Sequence, residues 1–591
     1  ISAFYHDSSA CLIEDGSVEI AIQEERLSRV KHDSSFPIKS INKILHMKNI
    51  EIKDIDFFVF YEKPFLKFER LLESAVATFP KSLKLFIKSM PLWVKDRIFQ
   101  KKNILKYIKK IDKNFNDLNK IKFSEHHLSH AASTFFPSNL DKAIIITIDG
   151  VGEWVTSSIS VGDNNNITRH YSQHFPHSLG LLYSAFTSYI GFAINDGEYK
   201  VMGLAPYGKP IYSDLILKKI ISLKEDGSFI LNLKYFDFIY GEKTINSKFE
   251  NLFQRKTRLK NDKIEQFHMD VACSIQNVIE KIILRIAEFA NKELKLENLC
   301  LSGGVALNCT SNSYIYKSKI FKNIWIQPAA GDAGGSVGAA LAFWHIALKN
   351  KRIVNSYDSM NFAYLGPSES KKEIIYFLEK NNIQYNEYTD DGLSKYIAKE
   401  ILDDKVIGWH QNRMEFGPRS LGNRSILANP LNKNMQQILN KKIKFREGFR
   451  PFAPSILQEF VSDWFEDISF SPYMLFITNV KESKLVKLTN DQLNKKGLNK
   501  INIERSVIPA VTHVNNSARV QTVNSQQNPK FYQLIKDFYK ISNCPILINT
   551  SFNINNEPIT CDVNDSFKCF MTTDIDLLVI DNFVIKKKKK Y

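Results

Sequence analysis

Two stretches in the middle of the chain run from an apolar strand into glycine and then into a helix, and they constrain the fold more than any other feature. NLCLSGGVALNCTSN passes through Ser302-Gly303-Gly304 into a helix, with Asn308 a candidate nucleotide-side residue, and NIWIQPAAGDAGGSVGAALAFWHIAL passes through Gly331-Asp332 and Gly334-Gly335. Glycine at such a junction lets the backbone approach a phosphate, and the helix N-terminus that follows favours negative charge. Two of these units in close succession point to a nucleotide site in an α/β domain. Upstream, strand-like ISAFYH precedes a hairpin, SACLIE and SVEIAIQEE around Asp15-Gly16. A second pair follows later, where AIIITIDG ends on Asp149-Gly150 and VTSSISVG returns.

Repeated strand–turn–strand units with acidic turns predict an internally duplicated domain, as in ATPase folds of the actin and sugar-kinase type. At 591 residues the chain exceeds one hydrophobic core, so two domains are expected. Residues 63–120, rich in Lys, Phe and Leu at helical spacing, read as a helical insertion and a cap on the substrate side. The chain turns polar from Lys349 to Met360, which divides it into domains 1–350 and 351–591. VIGWH, PILINTSFN and DLLVIDNFVI alternate with helices beyond that point, so the second domain is α/β as well.

Composition excludes some classes. With 44% hydrophobic and 24% charged residues it is that of a soluble globular protein, and no apolar run matches a bilayer's thickness. Seven cysteines without a CxxC pair argue against a disulfide framework or structural zinc, so a cytoplasmic protein without a membrane partner is expected. The opening on ISAFYH, without methionine, predicts a few missing residues. A net charge of +17 raises nucleic acid as a partner, but the charge is dispersed, and the lysine tail 586–590 reads as a solvated end. No nucleic acid is expected.

The sharpest local signal is SEHHLSHAASTFF. On a helix His126 and His130 project from one face at the spacing of helical metal ligands, while His127 points elsewhere. The strand end at Asp149 and the loop at Asp332 can each add a carboxylate. Two imidazoles with carboxylates suit a divalent ion, Fe, Mn or Zn. The alternative is that the histidines cap or pack.

ISAFYHDSSACLIEDG, QEERLSRVKHD, HHLSHAASTFFPS, DGEYKVMGLAPYG, LSGGVALN, GDAGGSVGAAL, FGPRSLGNRSILANP, KFREGFRPFAPS and ARVQTV…INTSFN occur in this order. As a set they resemble the carbamoyltransferases of the NodU/CmcH type, which include tobramycin carbamoyltransferase, over nearly the whole chain. The resemblance implies a TsaD-like N-terminal domain and a YrdC-like C-terminal domain. The second would make carbamoyl adenylate from carbamoyl phosphate and ATP, with Mg²⁺, and the first would pass the carbamoyl group to a small-molecule hydroxyl. It also implies iron at His126, His130, Asp149 and Asp332, and His6 as the group that helps deprotonate the acceptor. Lys200 and the two glycine loops would line the nucleotide side.

Such chemistry needs fixed cations and donors around phosphate, and arginine's planar fork suits it. Arg419 and Arg424 stand in FGPRSLGNRS, Lys444, Arg446 and Arg450 in KFREGFRPFAP, and Arg519 in SARVQTV. Ser551 in INTSFN could bond a carbamoyl group or phosphate, or cap a turn. His6 has a suitable ordinary pKa for a base. If ISAFYH is a strand, Asp7 faces away from it. The acceptor stays open, with residues 63–120 and 210–260 as the regions expected to choose it, and residues 480–505 read as a surface insertion. A homodimer would fit. The alternatives are a tRNA threonylcarbamoyl-type modification enzyme and a metabolite kinase of the actin-like fold.

Overall fold

The computed structural model describes residues 1–93, 99–241 and 243–587. Residues 588–590 of the lysine tail lie outside them. The chain divides into two compact units, one of Ile1–Glu24 with Ser34–Ser359, the other of Glu25–Asp33 with Met360–Tyr591.

The first unit centres on a five-stranded sheet in the order Asn323–Ile326, Asn298–Ser302, Lys142–Ile148, Val155–Asp163, Asn166–His174. The first three strands are parallel and the last two antiparallel. The central strand is KAIIITI, and Ile144, Ile145 and Ile146 are essentially fully buried, as a strand covered on both faces requires. Helix His126–Phe135 lies on this sheet: Thr134 Oγ1 donates to Leu301 O at 3.0 Å. It packs against helix Asp332–Ala342 so closely that a Cβ on Gly338 would meet Ser129 O at 1.7 Å. The hairpin of Ser9–Glu14 and Ser17–Gln23 forms as expected, with Asp15 and Gly16 both at positive φ.

One expectation fails here. ISAFYH is not a strand: apart from an isolated bridge between Ser2 and Ser9, residues 1–8 are irregular, with Phe4 and Asp7 at φ of 73° and 51°. Apolar and aromatic residues made the segment strand-like, but two residues at positive φ break the extended run.

The second unit holds an eight-stranded mixed sheet, in the order Asn386–Glu387, Phe583–Lys586, Leu577–Ile580, Ile407–His410, Arg424–Ala428, Ile546–Ser551, Ala453–Leu457, Gln521–Val523. Both units are therefore α/β. Amphipathic helices Asp390–Leu402, Pro529–Ser542 and Val563–Thr572 bury Ile397, Ile401, Leu534, Phe538 and Phe570 in its core. Residues Glu25–Asp33 group with this unit, although the expected first domain contained them. Buried Arg26 donates to Gly417 O at 2.7 Å, and Arg29 to Pro558 O and Ile559 O at 2.9 and 2.7 Å.

Candidate functional site

His126 and His130 occupy the first and second turns of one helix, so their rings share a face, and their Nε2 atoms stand 3.1 Å apart. His127 points away to Ser158 Oγ at 3.3 Å. Asp149 follows the central strand, and its Oδ2 lies 3.1 Å from His126 Nε2 and 3.9 Å from His130 Nε2. Asp332 opens its helix rather than standing in a loop, and its Oδ1 lies 3.8 and 3.6 Å from the same two nitrogens. One ligand atom from each of the four residues falls within 4.8 Å of the others, and all four residues are buried.

The electrostatics follow from that burial. Burial alone would lower the pKa of His126, but the Asp149 hydrogen bond and the charge of Asp332 outweigh it and push it up to about 9. Asp149 is held well below the usual carboxylate range: burial opposes this, but His126, His130 and the Gly304 N–H prevail. Asp332 is lowered against burial mainly by His6, His130 and His126. The two carboxylates thus draw positive charge to the cluster, as protons on His126 and His6 or as a bound cation. A two-imidazole, two-carboxylate donor set fits a divalent metal such as Fe, Mn or Zn. The Nδ1 atoms of both histidines are buried without a hydrogen-bond partner among the described residues, so each ring offers its Nε2 inward.

His6 reaches this cluster, with Nε2 3.9 Å from Asp332 Oδ2. Asp7 does orient it: Nδ1 lies 3.0 Å from Asp7 Oδ2, because the positive φ at Asp7 turns both side chains to one side where a strand would have parted them. Burial lowers the pKa of His6, yet Asp332 and Asp7 together raise it to about 9. A cation held by the four ligands would offset that field and free His6 to accept a proton.

Two further residues complete the surroundings, and sequence reasoning missed both. Tyr61 donates its hydroxyl to Asp332 Oδ2 at 3.3 Å. Buried Glu153 accepts from the His126 N–H at 3.0 Å, which caps the ligand helix, and from the Lys63 N–H at 2.7 Å. Glu153 stands in the same turn as Asp149, in DGVGEW, and that proximity to a ligand was the available signal.

The glycine loops do different work from each other. Gly303 needs its φ of 88°, and a Cβ there would meet Ile148 O at 2.2 Å; Gly304 N–H donates to Asp149 Oδ1 at 2.9 Å. Gly334 and Gly335, expected to cradle phosphate, are required by packing in any case, since added Cβ atoms would meet Ala329 O at 2.3 Å and the Tyr61 ring at 2.7 Å. Asn308 caps helix Cys309–Ser318 by accepting from Ser311 N–H, and it exchanges hydrogen bonds with Gln276 at 3.0 and 3.1 Å. Lys200 is buried in helix Glu198–Leu204, 3.4 Å from Asp196.

In the second unit Lys444 is 2% exposed, and its Nζ bonds Ser551 O, Ser551 Oγ at 3.1 Å, Asn553 O at 3.0 Å and Asn553 Oδ1 at 2.7 Å. All four acceptors are neutral oxygens. Burial, with the neighbouring Arg446 and then Arg450 and Lys31, holds its pKa well below the ordinary lysine value. Arg446 Nε donates to Asn440 Oδ1 at 2.7 Å, and its guanidinium lies 4.8 Å from the centre of the Phe452 ring. Arg450 is 3.5 Å from Glu447. Ser551 ends the strand Ile546–Ser551, so it belongs with Lys444. Arg419 and Arg519 are half-buried, and Arg519 ends the short strand Ser517–Arg519.

Arg424 corrects the expectation. It is fully buried, and its three nitrogens go to Cys561 O, Gln411 O, Asn412 O, Asn423 O and Pro367 O, with Glu369 at 3.5 Å. It holds loops together by their carbonyls and offers no fork to a phosphate.

Comparison with known proteins bears on these clusters. The sequence is 50% identical to an uncharacterised protein of Synechocystis sp. over 99% of this chain and 96% of that one. It is 34% identical to nodulation protein NolNO of Sinorhizobium fredii, over 99% of this chain and 80% of that one. Among solved structures it is similar to HypF of T. kodakarensis at 15% identity and a TM-score of 0.28, over 59% of this chain and 49% of that one, a likeness too slight to bear on function. Residues 1–341 match the family described as Carbamoyltransferase N-terminus and residues 398–587 that described as Carbamoyltransferase C-terminus. With both halves matched, the chain belongs to the carbamoyltransferase family and is a transferase enzyme.

Proposed function

We propose that the chain makes carbamoyl adenylate from carbamoyl phosphate and ATP, and transfers the carbamoyl group to a hydroxyl of a small molecule such as a sugar or other natural product. The observation that carries this is the pairing of a buried metal-type cluster in one unit with a buried cationic cluster in the other. In this reading residues 1–350 are the TsaD-like transfer domain and residues 351–591 the YrdC-like activating domain.

Activation breaks the P–O bond of carbamoyl phosphate with water and releases phosphate. The freed carbamate oxygen attacks the α-phosphorus of ATP, and pyrophosphate leaves. Lys444, Arg446 and Arg450 hold the phosphate oxygens, Arg419 and Arg519 bind the nucleotide, and Ser551 donates to the carbamoyl oxygen. In the transfer step the acceptor oxygen attacks the carbamoyl carbon, AMP leaves, and His6 takes the hydroxyl proton, with Asp7 fixing its ring. Gly303, Gly304, Asn308 and Lys200 stand on the nucleotide side of this unit. His126, His130, Asp149 and Asp332 would hold a divalent ion, Fe²⁺ by family resemblance, whose chemistry is charge stabilisation at phosphate oxygens.

Product analysis tests the reading. With ATP, Mg²⁺ and carbamoyl phosphate but no acceptor, AMP and pyrophosphate should form slowly and depend on carbamoyl phosphate. Arg446→Ala should abolish them. ADP formed only with an added sugar would replace this reading with a kinase.

A further inference from the structure

The helical segment 63–120 has a surface that the proposed chemistry does not use. Its first helix, Pro64–Ala77, is amphipathic in the inverted sense. Lys67 and Arg70 are buried, whereas Phe65 is 64% and Val76 69% exposed, with Leu72 on the same face. Phe79 follows in the connecting turn at 66%, and helix Leu83–Trp93 continues the pattern with exposed Leu83 and Ile87 at i, i+4. A soluble surface scatters such side chains singly, and a contiguous run of them marks something that covers it.

Charge identifies the cover. From Ser74 to Lys95 the sequence has four lysines and no Asp or Glu. Lys81, Lys84 and Lys88 are all exposed and alternate with Phe79, Leu83 and Ile87. Interleaved lysines and large apolar side chains are what an amphipathic element needs to lie in the headgroup layer of an anionic bilayer. A second copy of this chain fits less well, because a two-fold pairing of this run would set lysines against lysines. On the first helix Glu69 and Glu73 are exposed beside Phe65 and Leu72, so the basic part of the surface begins only at Ser74. No helix among the described residues is long and apolar enough to cross a membrane, so the contact is peripheral.

We infer that the surface formed by Val76, Phe79, Leu83 and Ile87, with Lys81, Lys84 and Lys88, docks on an anionic phospholipid bilayer. The sequence alone gave no reason to expect a membrane partner. This inference stands apart from the carbamoyl chemistry, but the two meet in one place. The same helical segment is tied to the metal-type cluster through Lys63 N–H to Glu153 and through Arg70 Nη1 to Gly152 O at 2.5 Å.

The test is co-sedimentation of the full chain with vesicles, without ATP or carbamoyl phosphate, so its failure leaves the activity reading untouched. Phosphatidylglycerol-rich vesicles should bind the chain and pure phosphatidylcholine vesicles should not, with binding weakened by salt. Removing the three lysines together (Lys81→Gln, Lys84→Gln, Lys88→Gln) should lower the partition by roughly a hundredfold, about fivefold for each. The pair Phe79→Ser and Ile87→Ser should lower it at least tenfold, whereas Lys495→Gln with Lys496→Gln should leave it unchanged. Absence of binding to phosphatidylglycerol overturns the inference. So does equal loss from the distant lysine pair, which would mean overall charge alone. Light scattering that shows a dimer dispersed by Phe79→Ser and Ile87→Ser also overturns it, in favour of a second copy.

Discussion

Asp149 and Asp332 face two imidazole nitrogens in the first unit, whereas Lys444 in the second is surrounded by serine and asparagine oxygens and by the charge of Arg446. Burial acts on both clusters, and the contents decide the outcome. Carboxylates beside histidine trade protons, so His126 rises and Asp149 falls. Lysine among neutral acceptors and other cations has no such exchange, and its pKa falls. One cluster is thus a set of ligand-type groups that fits a cation, and the other a buried lysine among neutral oxygens and further cations.

The comparison breaks most visibly at Asp332. Asp332→Asn should weaken metal binding by more than the roughly hundredfold that loss of an outer-layer partner costs. Metal content and the Co²⁺ absorption spectrum would read this. Carbamoyl phosphate-dependent pyrophosphate release should persist in the same variant; if both are lost together, the two clusters are not separable in function.

Lys444 gives a smaller effect with a definite sign. Its folded pKa is depressed, so in the window between that value and the unfolded one the folded chain binds fewer protons and stability rises with pH. A phosphate dianion restores the proton, so binding takes one up and weakens as pH rises, by up to about tenfold per unit. Calorimetry in buffers of different ionisation enthalpy should detect that proton. It should disappear in Lys444→Arg, and proton release instead would contradict the assignment.

Glu153→Gln sharpens the comparison least. One oxygen, Oε1, now accepts from the N–H groups of both His126 and Lys63, so the amide oxygen can keep both bonds while the charge is removed. Metal affinity should fall by roughly tenfold with the ligands intact. Unchanged affinity would make Glu153 a simple helix cap.

Much of this was legible in the sequence because it depended on local spacing. The i, i+4 histidines, the strand end at Asp149 and the glycine-rich turn that carries Asp332 are local signals, and the structure brings them together. Arg424 shows where that kind of reading stops. An arginine in a Gly-bearing loop reads as a phosphate ligand, but its partners Cys561 and Pro367 lie far along the chain and only folding brings their carbonyls to it. The packing at Gly335 was hidden likewise, because the Tyr61 ring that demands its missing side chain is remote in sequence. His6 was judged on strand alternation, and one positive φ at Asp7 reversed the conclusion.

Residues Glu25–Asp33 carry a consequence for inheritance. Because the second unit takes its Arg26 and Arg29 contacts from this early segment, a single genetic crossover near residue 360 cannot pass it on whole. The recipient would receive Gly417, Pro558 and Ile559 without the arginines that bond their carbonyls. Shuffling this second unit between relatives therefore needs two coordinated exchanges, and selection should hold the two parts of such a gene together far more tightly than a tandem pair of independent modules.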